Sequence, residues 1–274
     1  MLRGVLGKPI FDLTPHLDLR ALPGIHDEVC IGLTRLKDNE YTGGSHRSMG
    51  IMPERLEADA LTDYGEVIAA MSDEEFLVLG ALSDTPQLWD IGRRETVTFG
   101  EERDVLLNQR QMRWLEVRYG VYFPWKTYVE LMPGGRWDEK ANPRGKAFTR
   151  EALALFPKTC AFIRSLPFAS IGSVKLLGLA PHDHGTVHRD RDGEKALHVD
   201  QFVTFCPGKN KRLFVYDEDT DTRHVAQTAA YWFNDADYHG VLADPFFRYS
   251  FRVDGTFTPA LLEALEEVTR AAAP

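Results

Sequence analysis

Two short segments of this chain carry side chains able to hold a metal ion and an acid: His188-Arg189-Asp190, and His239 followed by Arg248-Tyr249-Ser250. Residues i and i+2 of an extended strand point to the same side, so His188 and Asp190 can grip one ion together. A third ligand, His239, can come from far along the chain if the fold returns a strand to the same point. That requirement calls for a multi-strand β scaffold. Two imidazoles and one carboxylate hold one face of a transition metal such as Fe(II), leaving other positions open for a chelating co-substrate and O2. Arg248, Ser250 and Arg252 share one face of a strand. A guanidinium fork beside a hydroxyl is a receptor for a carboxylate, with charge-assisted hydrogen bonds of roughly 1.5–3 kcal/mol each.

Each piece also has a plainer reading. His-x-Asp recurs by chance, and the chain holds a second one, His198-Val199-Asp200. Taking His198 and Asp200 as ligands leaves the first pair without a role, so His188 and Asp190 are favoured, with the other pair kept as the alternative. His-Arg-Asp is also a fragment of the protein-kinase catalytic loop, which requires an Asn where this chain has Lys195, and a Gly-rich loop that is missing. A zinc hydrolase could use His182-Asp183-His184 with His188. Without the Asp-His that completes such a motif, His182 and His184 are expected as loop residues at the mouth of the site, and His224 as a surface strand residue.

The distal His with Arg-x-Ser makes the combination more specific. It resembles the Fe(II)/2-oxoglutarate-dependent dioxygenases, and residues 156–254 are similar to the aspartyl/asparaginyl β-hydroxylase-like branch, which includes some proline hydroxylases. The resemblance implies that His188, Asp190 and His239 are the metal ligands and the catalytic centre, and that Arg248 and Ser250 bind the far carboxylate of 2-oxoglutarate. His198 stands where that branch places a second co-substrate-binding His, while Ala196 stands where it usually has an Arg. It further implies Fe(II) as cofactor, 2-oxoglutarate and O2 as co-substrates, and hydroxylation of an aliphatic C–H with release of succinate and CO2. An amino acid, peptidyl side chain or natural-product intermediate is the expected substrate; desaturation or cyclisation uses the same ligands. A metal-binding cupin-like barrel without this co-substrate, an isomerase or a small-acid sensor, remains the other reading. Such a barrel has no need of Arg248-Tyr249-Ser250.

Composition agrees with a globular enzyme: 43% hydrophobic and 27% charged residues in a chain of 274. A net charge of −9 without a Lys/Arg stripe argues against a nucleic-acid partner. Cys30, Cys160 and Cys206 are widely spaced and odd in number, as expected of reduced thiols. The apolar run at the start is short for a signal peptide, and no stretch approaches the ~20 apolar residues of a membrane span. The expectation is a cytoplasmic protein with a small-molecule or peptide substrate and no membrane partner, its oligomeric state open.

The elements that must position these residues follow a change in pattern near residue 168. Strands are predicted over 171–180, 186–190, 196–206, 212–217, 223–233, 238–242 and 247–254, broken at Pro207-Gly208, Asp217-Glu218-Asp219 and Asn234-Asp235. The fold class is therefore mainly β with flanking helices: a double-stranded β-helix, or jelly roll, over residues 166–257. Residues 1–165 form a mixed α/β region expected to cover the barrel and to contribute substrate contacts, with Trp125, Lys126, Arg136 and Trp137 as candidates. Helices are predicted at 53–79, 101–118 and 148–165, with a strand or extended segment at 120–131. A C-terminal helix in 258–274 starts at Thr258-Pro259, and Leu261, Leu262, Leu265 and Val268 form its apolar face.

Overall fold

The alternating pattern after Ile171 folds as antiparallel strand pairs in two sheets. The computed structural model describes residues 2–36, 50–51, 64–94, 107–123, 127–135, 139–190 and 198–271. Its strands are β1 (Ile10–Asp12), β2 (Gly50–Ile51), β3 (Thr127–Met132), β4 (Phe168–Leu179), β5 (Gly185–Arg189) and β6 (Phe202–Phe205), then β7 (Leu213–Asp217), β8 (Thr222–Val225), β9 (Ala230–Phe233), β10 (His239–Val241) and β11 (Arg248–Phe257). One six-stranded sheet runs β1-β9-β6-β11-β4-β3, and a five-stranded sheet runs β2-β5-β10-β7-β8. The structure is thus mainly antiparallel β with helices. The sheets take β1, β2 and β3 from the first 165 residues, the region expected to cover the barrel and contribute substrate contacts.

β11 is buried on both faces almost to its end, and the two faces differ in chemistry. Tyr249, Phe251 and Val253 alternate with Arg248, Ser250, Arg252 and Asp254, so one face is apolar and the other polar. The apolar face lies under helices. Phe251 stacks on Phe205 of β6 at 5.0 Å, and Phe205 meets Phe162 edge-on at 5.1 Å. Phe162 belongs to α6 (Pro157–Ser165), which packs with α1 (Leu22–Gly32) and α5 (Arg150–Leu155) in the same core cluster. The polar face looks across to the five-stranded sheet.

Local chemistry explains where helices differ from the sequence expectation. The helix predicted over 148–165 is two, because Pro157 excludes helical geometry at Phe156 (φ −131°, ψ 46°) and then serves as the first residue of α6. Within 53–79, residues 53–63 lie outside those described. The rest divides into α2 (Tyr64–Ala70) and α3 (Asp73–Ala81), because Ser72 and Glu75 form a reciprocal capping box that starts a new helix. A second box, Asn108 with Gln111, starts α4 (Gln109–Tyr119), and Gly120 ends it at φ 70°. Residues 101–106 lie outside the described set.

The strand predicted over 223–233 is also two. β8 pairs with β7 in one sheet and the fully buried β9 pairs with β6 in the other, so the chain crosses between sheets at 226–229. The terminal helix α7 (Pro259–Ala271) buries Leu261 and Leu265 and packs Leu262 on the core, while Val268 stays exposed. Among the described residues no helix is long and apolar enough to cross a membrane. Cys30 is exposed and Cys160 and Cys206 are buried, all three as free thiols.

Phe251 joins β11 to the helices through Phe205. Phe251→Ala should lower the unfolding free energy by about 3–5 kcal/mol, read as the shift in a urea denaturation midpoint; a shift below about 1 kcal/mol would mean that the stack repacks.

Candidate metal centre

β5 and β10 are adjacent and antiparallel, and their register pairs His188 directly with His239. The two rings lie 4.5 Å apart between centroids. Asp190 follows the end of β5 on the same side as His188. His188 Nε2 is 3.3 Å from Asp190 Oδ1, and His239 Nε2 is 3.8 Å from the same oxygen. One donor atom from each residue lies within 4.8 Å of the others, and all three side chains are buried. A divalent first-row ion bonded at about 2.0–2.1 Å would set neighbouring donors about 3 Å apart. The sequence pattern is therefore assembled as a compact facial set.

Backbone carbonyls fix which nitrogen faces the cluster. His188 Nδ1 lies 2.7 Å from the Thr186 carbonyl and His239 Nδ1 lies 2.9 Å from the Asp237 carbonyl. Only a protonated Nδ1 donates there, which leaves the Nε2 lone pair of each ring directed at the other donors, as ligand histidines require. Burial, reinforced by the neighbouring His188, pushes His239 down to about 4, so this imidazole is neutral at physiological pH. Burial alone would push Asp190 up. The Arg252 guanidinium beside it outweighs that burial and holds the carboxyl well below its usual range.

The three polar residues of β11 occupy successive levels. Arg252 Nη1 donates to Asp190 Oδ2 at 3.1 Å, so this guanidinium is at the metal level. Ser250 lies one strand repeat away, about 7 Å along β11, and its Oγ accepts from Lys211 Nζ at 3.0 Å. Lys211 is fully buried just before β7, and burial, with Arg248 and Arg252 nearby, pushes it down to about 7. Thr186 stands one repeat from His188 in the same direction, and its Oγ1 is buried without a hydrogen-bond partner among the described residues.

Arg248 is a further repeat away, at the end of the sheet. Its Nη2 donates to the Asp183 carbonyl at 2.6 Å and the Leu242 carbonyl at 2.5 Å, and Nη1 reaches the Ala180 carbonyl at 3.4 Å. Asp244 lies 3.4 Å from its Nε. In the structure it is Lys211, not Arg248, that lies beside the Ser250 hydroxyl, while Arg248 ties together the loops before β5 and after β10.

The other sequence candidates separate from the cluster. His198 is exposed, and Asp200 pairs with Lys140 at 2.9 Å. His184 stacks on Tyr122 at 4.8 Å and His182 is exposed, so the His182-Asp183-His184 run does not join His188. His224 is half-buried on β8. Trp125, Lys126, Arg136 and Trp137 lie outside the described residues. Sequence reasoning did not find Lys140, which sits in an unpatterned turn, or Lys211, whose Gly-Lys-Asn-Lys-Arg surroundings read as an exposed loop. A signal existed for Arg252 and Asp254. Charged residues at alternate positions of a strand whose other face must be buried imply an internal polar face.

No protein-family model matches the sequence, and no curated protein matches it. Among solved structures, a 2OG-Fe(II) oxygenase-family oxidoreductase from Burkholderia pseudomallei aligns at 11% identity with a TM-score of 0.31, over 46% of this chain and 66% of that one. A prolyl-4-hydroxylase from Pseudomonas putida aligns at 14% identity and TM-score 0.25, over 38% and 59% of the two chains. A viral collagen prolyl hydroxylase from Paramecium bursaria Chlorella virus-1, solved as a 2OG complex, aligns at 12% and 0.26, over 47% and 76%. The chain thus spans less than two thirds of the first two structures, and the site's own geometry carries the reading that follows.

Arg248 satisfies carbonyls that are otherwise buried. Arg248→Ala should lower stability by about 2–4 kcal/mol in urea denaturation; an unchanged midpoint would show that water replaces the guanidinium.

Proposed function

We propose that this chain is a non-haem Fe(II)- and 2-oxoglutarate-dependent oxygenase on a double-stranded β-helix, hydroxylating an aliphatic C–H of an amino acid, a peptidyl side chain or a natural-product intermediate. The carrying observation is the facial set of His188, Asp190 and His239, with both Nε2 atoms turned toward Asp190 Oδ1 by backbone acceptors. The donor set suits Fe(II), since two imidazoles and one carboxylate on one face leave the opposite positions free. The second support lies one repeat deeper. Lys211 Nζ, Ser250 Oγ and the unpartnered Thr186 Oγ1 offer a cation and two hydroxyls about 7 Å along the strands from the metal level. A five-carbon diacid held at the metal by its keto-acid end would bring its far carboxylate there.

The bound iron, with 2-oxoglutarate and O2, would supply the oxidation of the substrate C–H, with succinate and CO2 as co-products. The chain's own contribution is binding, orientation and exclusion of water. His188, Asp190 and His239 would occupy three positions on one side and direct the remaining ones toward the interior. Lys211 and Ser250 would hold the acid by charge-assisted hydrogen bonds. The Phe233 ring, 4.8 Å from that of His239, backs the ligand and keeps water from that side.

Anaerobic titration of the metal-free protein with Fe(II) and then 2-oxoglutarate should produce the visible charge-transfer band of the chelate, and His188→Ala or His239→Ala should abolish it. Iron binding without that band would instead favour a metal barrel that uses no 2-oxoglutarate. Lys211→Met should raise the half-saturating 2-oxoglutarate concentration tenfold or more, about 1.4 kcal/mol per factor of ten; an unchanged value would return the carboxylate to Arg248.

A further inference from the structure

Asp190 has two oxygens, and the structure gives them different neighbours. Oδ1 faces both imidazoles, and Oδ2 accepts from Arg252 Nη1 at 3.1 Å. Arg252 is buried, and its other two nitrogens are held as well: Nη2 by Asp235 Oδ2 at 2.6 Å and Nε by Asp254 Oδ1 at 2.9 Å. Its guanidinium lies over the Phe202 ring at 3.8 Å, and Ser173 Oγ donates to the second oxygen of Asp254 at 3.0 Å. Asp235 is fixed in turn by Lys140 Nζ at 2.6 Å, and the same ammonium reaches Asp200 Oδ2 at 2.9 Å. Residue 235 also holds the backbone of Asp190, whose N–H donates to its carbonyl at 2.8 Å.

Lys140 lies on neither sheet. It sits in the turn closed by the Asn142 N–H to Glu139 carbonyl bond, between β3 and α5. That turn is pressed against β4 at Gly172, where an added Cβ would fall 2.4 Å from the Lys140 carbonyl oxygen and 2.3 Å from the Ala141 carbonyl carbon. The placement of the ammonium is therefore set by backbone contact as well as by charge.

We propose that Arg252 and Lys140 are positioning residues of the metal centre: Arg252 engages Asp190 Oδ2 so that only Oδ1 is offered to the ion, and Lys140 aligns Arg252 through Asp235. This rests on the reading of His188, Asp190 and His239 as metal ligands. The planar fork of Arg spans three carboxylates at once, which a Lys ammonium cannot reproduce. With the fork lost, Asp190 is free to turn and offer both oxygens. The turn at 139–142, outside the two sheets, thereby controls the coordination number of the ion.

The test uses Co(II) as the probe in the full chain, reading affinity by titration and geometry by the visible d–d absorption, which weakens as coordination number rises. Wild-type protein should bind Co(II); failure to bind would overturn the metal reading and this proposal with it. With wild-type binding in hand, Arg252→Lys and Lys140→Met should lower affinity by about 10–100-fold and alter the d–d intensity, and Lys140→Arg should restore most of both. Gly172→Ala, which removes no charge but crowds the turn, should reproduce the Lys140→Met spectrum and serves if Arg252→Lys does not fold. Wild-type affinity and spectrum in folded Lys140→Met and Gly172→Ala proteins would overturn the positioning role while leaving the metal reading intact.

Discussion

A carboxylate buried between two sheets has to be given cations or a metal, and Asp190 imposes that demand on the whole interior. Transfer of an ionised carboxyl out of water is costly unless it is paired and hydrogen-bonded. Here the compensating cation is the Arg252 guanidinium from β11, and the imidazoles of β5 and β10 stand where they could share an ion with the carboxylate. Satisfying Arg252 in turn draws in Asp235 and Asp254, and Asp235 draws in Lys140. The polar interior is thus a connected set in which each member's partner is itself held.

That arrangement requires the six-stranded sheet to be buried on both faces with opposite chemistry. The apolar face of β11 and β6 is covered by α1, α5 and α6, whose aromatic and aliphatic side chains remove it from water. The helices from the first part of the chain therefore free the other face to carry charge. A one-residue slip of β11 against β4 would exchange Phe251 with Ser250 or Arg252 and put guanidinium among phenyl rings. Register and the polar interior are enforced by the same alternation.

Much of this was legible in the residues. His188, Asp190 and His239 were readable because strand geometry relates i to i+2 and because a distal His followed by Arg-x-Ser is uncommon. Strand density after Ile171 announced an antiparallel β fold. Less legible were the breaks at Pro157 and Ser72, where local backbone chemistry overrides a continuous apolar period. β1 was hidden because a short strand borrows its stability from the sheet it joins rather than from its own pattern. Lys140 and Lys211 were invisible for a different reason. A lysine in a polar turn looks solvated, and only the tertiary fold shows that its ammonium is turned inward. Arg248 and Ser250 were singled out together, but the sequence could not show that one stops at loop carbonyls while the other meets a buried amine.

The pairing of His188 with His239 across adjacent strands also has a consequence for biosynthesis. A chain emerging from the ribosome presents His188 and Asp190 long before His239 is made, and β11, which lines the site with Arg252, follows later still. Two donors on a segment without its sheet partners make a poor metal site, since affinity at such centres arises together with folding. An ion held by the proposed set of His188, Asp190 and His239 would thereby be captured only after β10 has docked between β5 and β7. On the proposed function, the order of strands along the chain would keep the nascent polypeptide from carrying a reactive metal while its thiols and aromatic side chains are still uncovered.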